Sequence, residues 1–217
     1  MTERRRVAII GAGLVTVATV PSAAYYFMPE IIRSFQARFP QVRIRLIDSS
    51  AGNVIEAVSS GQADFGLCFA KNLPASIEFT PLADDRYVAA CRHDHPLASR
   101  THLSWQAYFE QDYIGLDRVS GNRTLLDREL AHLTPARPSI CETRHVTTML
   151  GMVEAGIGIA AVPAMSMPAG EHSVLRAVPL TDPVVTRTVG LIRLSGRIQS
   201  YVAAELEKLI IEQYPSG

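Results

Sequence analysis

Four short segments of the sequence place hydroxyl, amide, imidazole or guanidinium groups just before stretches that are predicted to be helical. Their candidate ligand-binding residues are Ser22 and Ala23, then Ser49, Ser50 and Ala51, then Ser120, Gly121, Asn122 and Arg123, and finally His145, Thr147 and Thr148. The first turn of a helix has unpaired backbone N–H groups at the positive end of the helix dipole, and these groups attract anions. Serine, threonine and asparagine are also common helix caps. Two interpretations therefore stay open for each segment, simple capping and binding of a small anionic ligand.

Few other residues suggest chemistry. Arg123 could pair bidentately with a carboxylate, although an arginine that is merely solvated fits the sequence equally well. His93 and His95 have the i, i+2 spacing of some metal ligands, but no third ligand lies near them, which favours a structural turn. The sequence contains no GxSxG, HExxH or CxxC motif. We therefore expect no enzymatic activity, no bound metal and no cofactor.

The elements around the first two segments alternate between strand and helix. Apolar residues recur at strand or helix spacing, and proline or glycine ends several of the stretches. The pattern predicts strands at 14–20, 42–47 and 65–69 and helices at 26–39 and 53–60. Short connections in the order β-α-β-α-β require a parallel sheet with right-handed crossovers. Ligands of such sheets bind beyond the carboxyl ends of the strands, where these segments lie.

The remainder of the chain repeats this pattern less regularly. The apolar spacing predicts strands at 87–91, 112–116, 157–162 and 188–194 and helices at 124–133, 147–155 and 198–213. The segments at Ser120 and His145 precede the first two of these helices. This order of elements predicts two α/β units that are joined by more than one crossing segment.

The composition is typical of a folded globular protein and excludes wholesale disorder. The chain has 217 residues, of which 47% are hydrophobic and 19% are charged. Lysine and arginine together number 21, as do aspartate and glutamate, and the only basic run is at residues 4–6. A protein that holds a phosphate backbone usually has a basic excess or a basic face. We therefore expect that this chain does not bind nucleic acid unaided.

The cysteines indicate a reducing compartment. Cys68, Cys91 and Cys141 are odd in number, widely spaced and without a CxxC pair. This usage fits buried thiols better than a disulfide framework or a zinc site. It favours a cytoplasmic protein.

The N-terminal segment imitates two known signals. Residues 7–13 look like a strand that enters a dinucleotide-binding turn, but Thr16 occupies the third glycine position and no helix is predicted after Gly13. The basic run, the apolar run at 7–20 and the small residues 22–24 would suit a secretory signal peptide. Cleavage there would remove the opening strand of the sheet. The alternative that the chain is an exported solute-binding protein of a transporter nevertheless stays open.

An ordered set of motifs resembles the effector-binding domain of LysR-type transcriptional regulators. The motifs span residues 13 to about 212, nearly the whole chain. They are GLVTVA at 13–18, PS at 21–22, MP at 28–29, FP at 39–40, IEAV at 55–58, GQADFGL at 61–67, RHDHPLA at 92–98 and VEAGIGIAAVP at 153–163. Each motif is weakly specific by itself, and the ordered set carries the resemblance.

The resemblance implies a two-lobed α/β fold like that of the type 2 periplasmic binding proteins, each lobe being a mostly parallel sheet flanked by helices. Residues 13–85 and 187–213 would form lobe I and residues 86–186 lobe II, and residues 1–12 would be an N-terminal linker remnant. A small-molecule effector would bind in the cleft between the lobes and change their relative angle by a hinge motion.

The resemblance also implies site residues and partners. Ser22 and residues 49–51 match positions where lobe I of the family holds its effector, and the two later segments match less securely. The family usually dimerises through this module, with the helix at 27–39 against the second lobe of the partner subunit, so we expect a homodimer or homotetramer. DNA would be contacted only through a winged helix-turn-helix that this chain lacks, and no membrane association is expected.

Overall fold

The computed structural model describes residues 13–69, 73–135, 137–168 and 173–214. The linker remnant predicted at residues 1–12, with its basic run and most of the dinucleotide-like pattern, lies outside the described residues. The chain divides into two compact units: unit 2 runs from Asp85 to Arg187, and unit 1 comprises the chain before and after it. The chain therefore passes from one unit to the other twice.

Ten strands and six α-helices are formed by the described residues. In chain order they are β1 (Gly13–Thr19), α1 (Pro21–Arg38), β2 (Val42–Asp48), α2 (Ala51–Ser59), β3 (Phe65–Phe69), β4 (Ile77–Arg92), β5 (Leu103–Ser104), α3 (Trp105–Phe109), β6 (Tyr113–Leu116), α4 (Gly121–Glu129), β7 (Cys141–Thr143), α5 (Val146–Glu154), β8 (Ile159–Pro163), β9 (Leu175–Thr181), β10 (Thr186–Leu194) and α6 (Tyr201–Gln213). No described helix is both long enough and apolar enough to cross a bilayer.

The sheet of unit 1 has the strand order β2-β1-β3-β10. Strand β1 runs parallel to both β2 and β3, and β10 runs antiparallel to β3. The parallel β-α-β-α-β arrangement predicted for the first 70 residues is thus confirmed. Gly66 in β3 lets this layer pack closely, because a Cβ there would lie 3.0 Å from the carbonyl oxygen of Ala18 and 3.1 Å from a methyl of Val54 on α2.

Helix α1 begins at Pro21, earlier than the predicted residue 26. The fixed φ of proline suits the first helical position, where its missing N–H costs no hydrogen bond. As a consequence, Pro29 lies inside the helix and not in its first turn. An internal proline costs about 3 kcal/mol, and the burial of Phe27, Ile31 and Phe35 at helical spacing offsets that cost.

The sheet of unit 2 is mixed. Its order is β4-β8-β6-β7, with β9 added to β4 and β5 to β9. Strand β6 is parallel to β7 and β8, whereas β4 is antiparallel to β8 and β9. The predicted α/β class is confirmed, but the parallel character predicted for both lobes is clear only in unit 1.

Unit 2 buries both faces of its sheet. Tyr87 and Ala89 of β4 point into a cluster around Trp105, and the alternate residues Val88 and Ala90 point into a second cluster on the opposite face. A strand that is covered on both sides is apolar at every position. This explains the unbroken apolar run in β4.

The cysteines allow a simple labelling prediction. Cys68 and Cys91 are buried and Cys141 is half-buried, and burial raises the pKa of the Cys91 thiol. Because the thiolate is the reactive species, we expect an aromatic disulfide reagent at pH 8 to react with at most one thiol of the native protein. After unfolding it should react with all three cysteines. Rapid reaction of two or more native thiols would contradict the buried positions.

Candidate functional site

The first two candidate segments lie at one edge of the sheet of unit 1. In the parallel pair β1–β2, Thr19 is opposite Asp48. The backbone N–H of Ser49 donates to the carbonyl oxygen of Thr19 at 3.0 Å. The segments at Ser22 and at Ser49 therefore follow neighbouring strand ends, and the first turns of α1 and α2 begin at the same edge.

Ser22 is not a helix cap. Val20 is the N-cap residue of α1 and Pro21 opens the helix, so Ser22 lies inside the first turn. Ser22 is buried, and Ala23 beside it is completely inaccessible to solvent. The capping interpretation of Ser22 is thus wrong, because the helix starts before it.

The serine hydroxyls of the second segment accept hydrogen bonds from the first turn of the helix that follows them. Ser50 is the N-cap of α2, and its Oγ accepts a hydrogen bond from the backbone N–H of Asn53 at 3.4 Å. The Oγ of Ser49 accepts from Nδ2 of Asn53 at 2.9 Å. Capping therefore accounts for part of the hydrogen bonding of both hydroxyls, and Ala51 is the first residue of the helix.

The last two candidate segments lie together at one edge of the sheet of unit 2. Leu116 and Thr143 are opposite each other in the parallel pair β6–β7, and the N–H of Asp117 donates to the carbonyl oxygen of Thr143 at 3.0 Å. Arg144 pairs with Asp117 at 3.2 Å. Helices α4 and α5 consequently begin beside one another, as α1 and α2 do in unit 1.

Most polar side chains at this second edge are not used as caps. Ser120 and His145 are the N-cap residues of α4 and α5, and neither makes a side-chain capping bond. Ser120 is buried, whereas Gly121, His145, Thr147 and Thr148 are exposed. The exposed first turn of α5 leaves its positive dipole end open to an anion.

The positive charge of Arg123 is already paired with neighbouring carboxylates. Its guanidinium pairs with Asp127 at 2.7 Å and Glu142 at 3.5 Å, and donates to the carbonyl oxygen of Leu116 at 2.9 Å. The hydrogen bond to Asp127 is the main reason why the pKa of Arg123 is raised. An incoming carboxylate would have to compete with these partners.

Asn122 belongs to a buried hydrogen-bond network that the sequence did not indicate. Its Oδ1 accepts from the hydroxyl of Tyr87 at 2.8 Å and from Nη1 of Arg187 at 2.8 Å. Arg187 also pairs with Asp85 at 2.7 Å, and both side chains are almost completely buried. The second oxygen of Asp85 accepts from the backbone N–H of Met165 at 3.0 Å.

This network fixes the orientation of the Asn122 amide. A guanidinium can only donate, so the atom that faces Arg187 must be the oxygen. The Nδ2 group is therefore the free end of the amide, and none of the described residues accepts a hydrogen bond from it. Asn122 thus presents a donor at the N-terminus of α4, where a ligand acceptor would fit.

The histidine turn has a structural role. Nδ1 of His95 accepts from the backbone N–H of Leu97 at 3.2 Å and caps a short 3-10 helix at Pro96–Ser99. Across the described ranges, no group of three or more histidine, cysteine, aspartate or glutamate side chains could hold a metal ion.

Comparison with protein families and curated sequences gives a consistent result. The family model described as LysR substrate binding domain matches residues 11–215. An uncharacterized HTH-type transcriptional regulator of Escherichia coli K12, YbhD, is 38% identical over 199 residues, which cover 92% of this chain. The chain spans 63% of the length of that regulator.

Solved structures show the same fold. The regulatory domain of CcmR from Synechocystis PCC6803, in complex with 2-PG, has a TM-score of 0.82 and 17% identity, with 94% of this chain and 98% of that chain covered. The effector binding domain of QuiR, in complex with shikimate, has a TM-score of 0.79 and 19% identity, with 94% and 97% covered. At these identities the likeness establishes the fold.

Proposed function

We propose a function from one premise: the chain belongs to the LysR substrate binding domain family. The proposed function is effector sensing. The chain binds a small molecule that carries a carboxylate or another anionic group, and it passes this signal to the rest of a cytoplasmic transcriptional regulator. The chain itself performs no catalysis, and the regulator contacts DNA through a separate winged helix-turn-helix.

The observation that carries this proposal is the placement of four helix N-termini at two sheet edges. Each unit brings two of them together, and each edge offers backbone N–H groups at positive dipole ends. Asn122 adds a fixed side-chain donor at one of these edges. Donors in excess of acceptors suit an anion, and Ser22, Asn122 and Thr147 are the proposed contacts of greatest interest.

The relatives favour a regulator over an exported solute-binding protein. The curated relative reported above is an HTH-type transcriptional regulator, and the fold neighbours are an effector binding domain in complex with shikimate and a regulatory domain in complex with 2-PG. Both of those names denote small molecules. They support a ligand of that size for this chain without identifying it.

A thermal-shift screen of the purified chain tests the proposal. The probes are shikimate, benzoate and a panel of small carboxylates, with their neutral amides as matched controls. A ligand that binds the folded state stabilises it by about 2.7 kcal/mol at a concentration about 100 times its Kd, so the melting temperature should rise by several degrees. If no carboxylate raises the melting temperature more than its amide, the anionic effector is refuted.

Ser22 is the sharpest single-residue test in unit 1. If its hydroxyl bonds the effector, Ser22→Ala should weaken binding by roughly 1.5–3 kcal/mol for a charged ligand group, which is about tenfold to a hundredfold in Kd. Ser50→Ala should show a smaller loss, because Ser49 beside it can donate instead. Calorimetric titration with the strongest carboxylate of the screen measures both.

The matched control for this test is Ser34→Ala on the same helix. Ser34 donates to Glu30 on the exposed side of α1, and its loss should leave the Kd unchanged. Unchanged affinity in Ser22→Ala would remove Ser22 from the site.

Self-association is proposed through α1 and the strand β2. Among the described strands, β2 pairs only with β1, so its other edge is unpaired. Tyr25 and Tyr26 on α1 and Leu46 on β2 are exposed apolar residues at this end of unit 1. We expect sedimentation velocity to report a dimer or larger at micromolar concentration, and Leu46→Glu to shift it towards the monomer because burying a charge there is costly.

The control is Ile198→Glu, at a position that is 95% exposed. It adds the same charge at a residue that belongs to neither α1 nor β2, and it should leave the oligomer intact. A wild-type protein that sediments as a monomer would overturn the proposed interface.

A further inference from the structure

Unit 2 contains a cavity of about 630 Å³, and Arg123 is the one residue of the four candidate segments that lines it. Its walls come entirely from residues of unit 2, namely α3, β6, α4 and the segment that follows α4, with smaller contributions from β7, α5 and β8. Small-molecule sites in proteins commonly enclose about 300–1,000 Å³ and are lined mostly by apolar and aromatic side chains. The cavity is therefore large enough for a ligand of its own.

Helix α4 presents the lining of this cavity and the Asn122 side chain on different faces. Arg123, Leu126, Asp127 and Leu130 line the cavity, and their spacing places them on one face of the helix. Asn122 lies on a different face, where it meets Tyr87 and Arg187. A ligand in the cavity would therefore not need the donor that Asn122 presents.

One wall of the cavity is a cluster of aromatic rings. Trp105 and Tyr108 are in edge-to-face contact at 5.6 Å between ring centroids, and Phe109 and Tyr113 at 5.6 Å. Aromatic rings favour edge-to-face and offset contacts with a further ring. Leu126, Leu130 and Leu133 complete the apolar lining.

Most polar groups of the lining already have partners within the protein, and the guanidinium of Arg137 pairs at 3.5 Å with Asp112, which is not a lining residue. Arg123 faces Asp127 and Glu142, the hydroxyl of Tyr113 donates to the carbonyl oxygen of Arg137 at 3.1 Å, and the hydroxyl of Tyr108 accepts from the N–H of Ala161 at 2.9 Å. An anion would meet the carboxylates of Asp127 and Glu142, and a cation would meet the guanidinium groups of Arg123 and Arg137. A neutral ligand avoids both penalties.

We propose that this cavity is a second small-molecule site, which takes a neutral, flat molecule with an aromatic ring system. The aromatic wall and the apolar side chains of α4 supply the contacts. The opposed charges of Arg123 and Arg137 and of Asp127 and Glu142 disfavour charged analogues.

Indole is the probe for this site, and calorimetric titration with wild type and variants is the test. We expect saturable binding of one indole per chain and at least tenfold weaker binding of benzoate at the same cavity. Leu126→Trp places a larger side chain in the cavity and should weaken indole binding at least tenfold. Ile198→Trp adds the same side chain at an exposed position and should leave it unchanged.

Two further measurements keep the result independent of folding and of the effector site. Leu133→Trp fills the cavity from the segment after α4, so it replaces Leu126→Trp if that variant melts at a much lower temperature. Asn122→Asp should leave indole binding intact. Absence of saturable indole binding, full retention of it in a folded filled variant, or its loss in Asn122→Asp would each overturn the second site.

Discussion

Replacing Asp85 by alanine should lower the free energy of unfolding by about 3–5 kcal/mol, the usual cost of removing one partner of a buried ion pair. The Asp85 and Arg187 side chains are 0% and 2% exposed, and their charged atoms lie 2.7 Å apart. Without the carboxylate, a guanidinium stays buried without its counter-charge, and the N–H of Met165 loses its acceptor. Urea unfolding followed by circular dichroism measures the change.

The adjacent residue provides a matched control. Asp84 is exposed and accepts a hydrogen bond from the hydroxyl of Thr188 at 2.7 Å, so Asp84→Ala should cost only about 1 kcal/mol. The double variant Asp85→Leu with Arg187→Met should be more stable than Asp85→Ala, because it removes both charges together. Equal destabilisation by Asp84→Ala and Asp85→Ala would show that burial of the pair is unimportant.

The local pattern of the sequence predicts most of unit 1. Its first three strands alternate or run apolar over their full length, and the helix between β1 and β2 is marked by Phe27, Ile31 and Phe35 at helical spacing. The pattern places the start of α1 five residues too late, because residues 21–25 carry no strong helical periodicity. Pro21 would have been the signal, since proline is common at the first helical position.

Unit 2 is predicted less well, because its sheet depends on pairings between distant residues. The strand β9 carries Pro179 and pairs with β4, far before it in the chain. The middle of β4 contains Asp84 and Asp85, which local propensity disfavours in a strand. Tertiary contacts stabilise these segments as strands, and no local pattern reports such contacts.

The candidate site, too, is predictable from the sequence in its strand ends but not in its side-chain partners. Strand-end geometry predicts which segments share an edge, because parallel strands end together. The partners of individual side chains are not predictable in this way. Asp85 and Arg187 are 102 positions apart, and no local pattern distinguishes the buried Asp85 from the exposed Asp84 beside it.

Asn122→Asp should weaken binding of an anionic effector by more than about a hundredfold. The substitution keeps an oxygen for Tyr87 and Arg187 but replaces the donating Nδ2 group with a second, negatively charged oxygen. Loss of a hydrogen bond to a charged group costs roughly 1.5–3 kcal/mol, and repulsion between like charges about 4 Å apart adds up to about 4 kcal/mol near a protein surface. The repulsion comes in addition to a loss of the size expected for Ser22→Ala, so the total loss of binding free energy should be larger for Asn122→Asp.

The variant separates a ligand contact from a purely structural role of Asn122. Its melting temperature without ligand should stay near that of wild type, since both original hydrogen bonds keep an acceptor and Arg187 gains a nearby carboxylate. Gln36→Glu on the exposed side of α1, near the end of the helix that is far from its first turn, makes the same change of net charge, and it should bind the effector normally. Calorimetric titration of wild type, Asn122→Asp and Gln36→Glu with the carboxylate selected by thermal shift measures the three Kd values. Equal affinity of Asn122→Asp and wild type would mean that the amide only supports Tyr87 and Arg187, and the donor would have to be sought at the exposed first turn of α5.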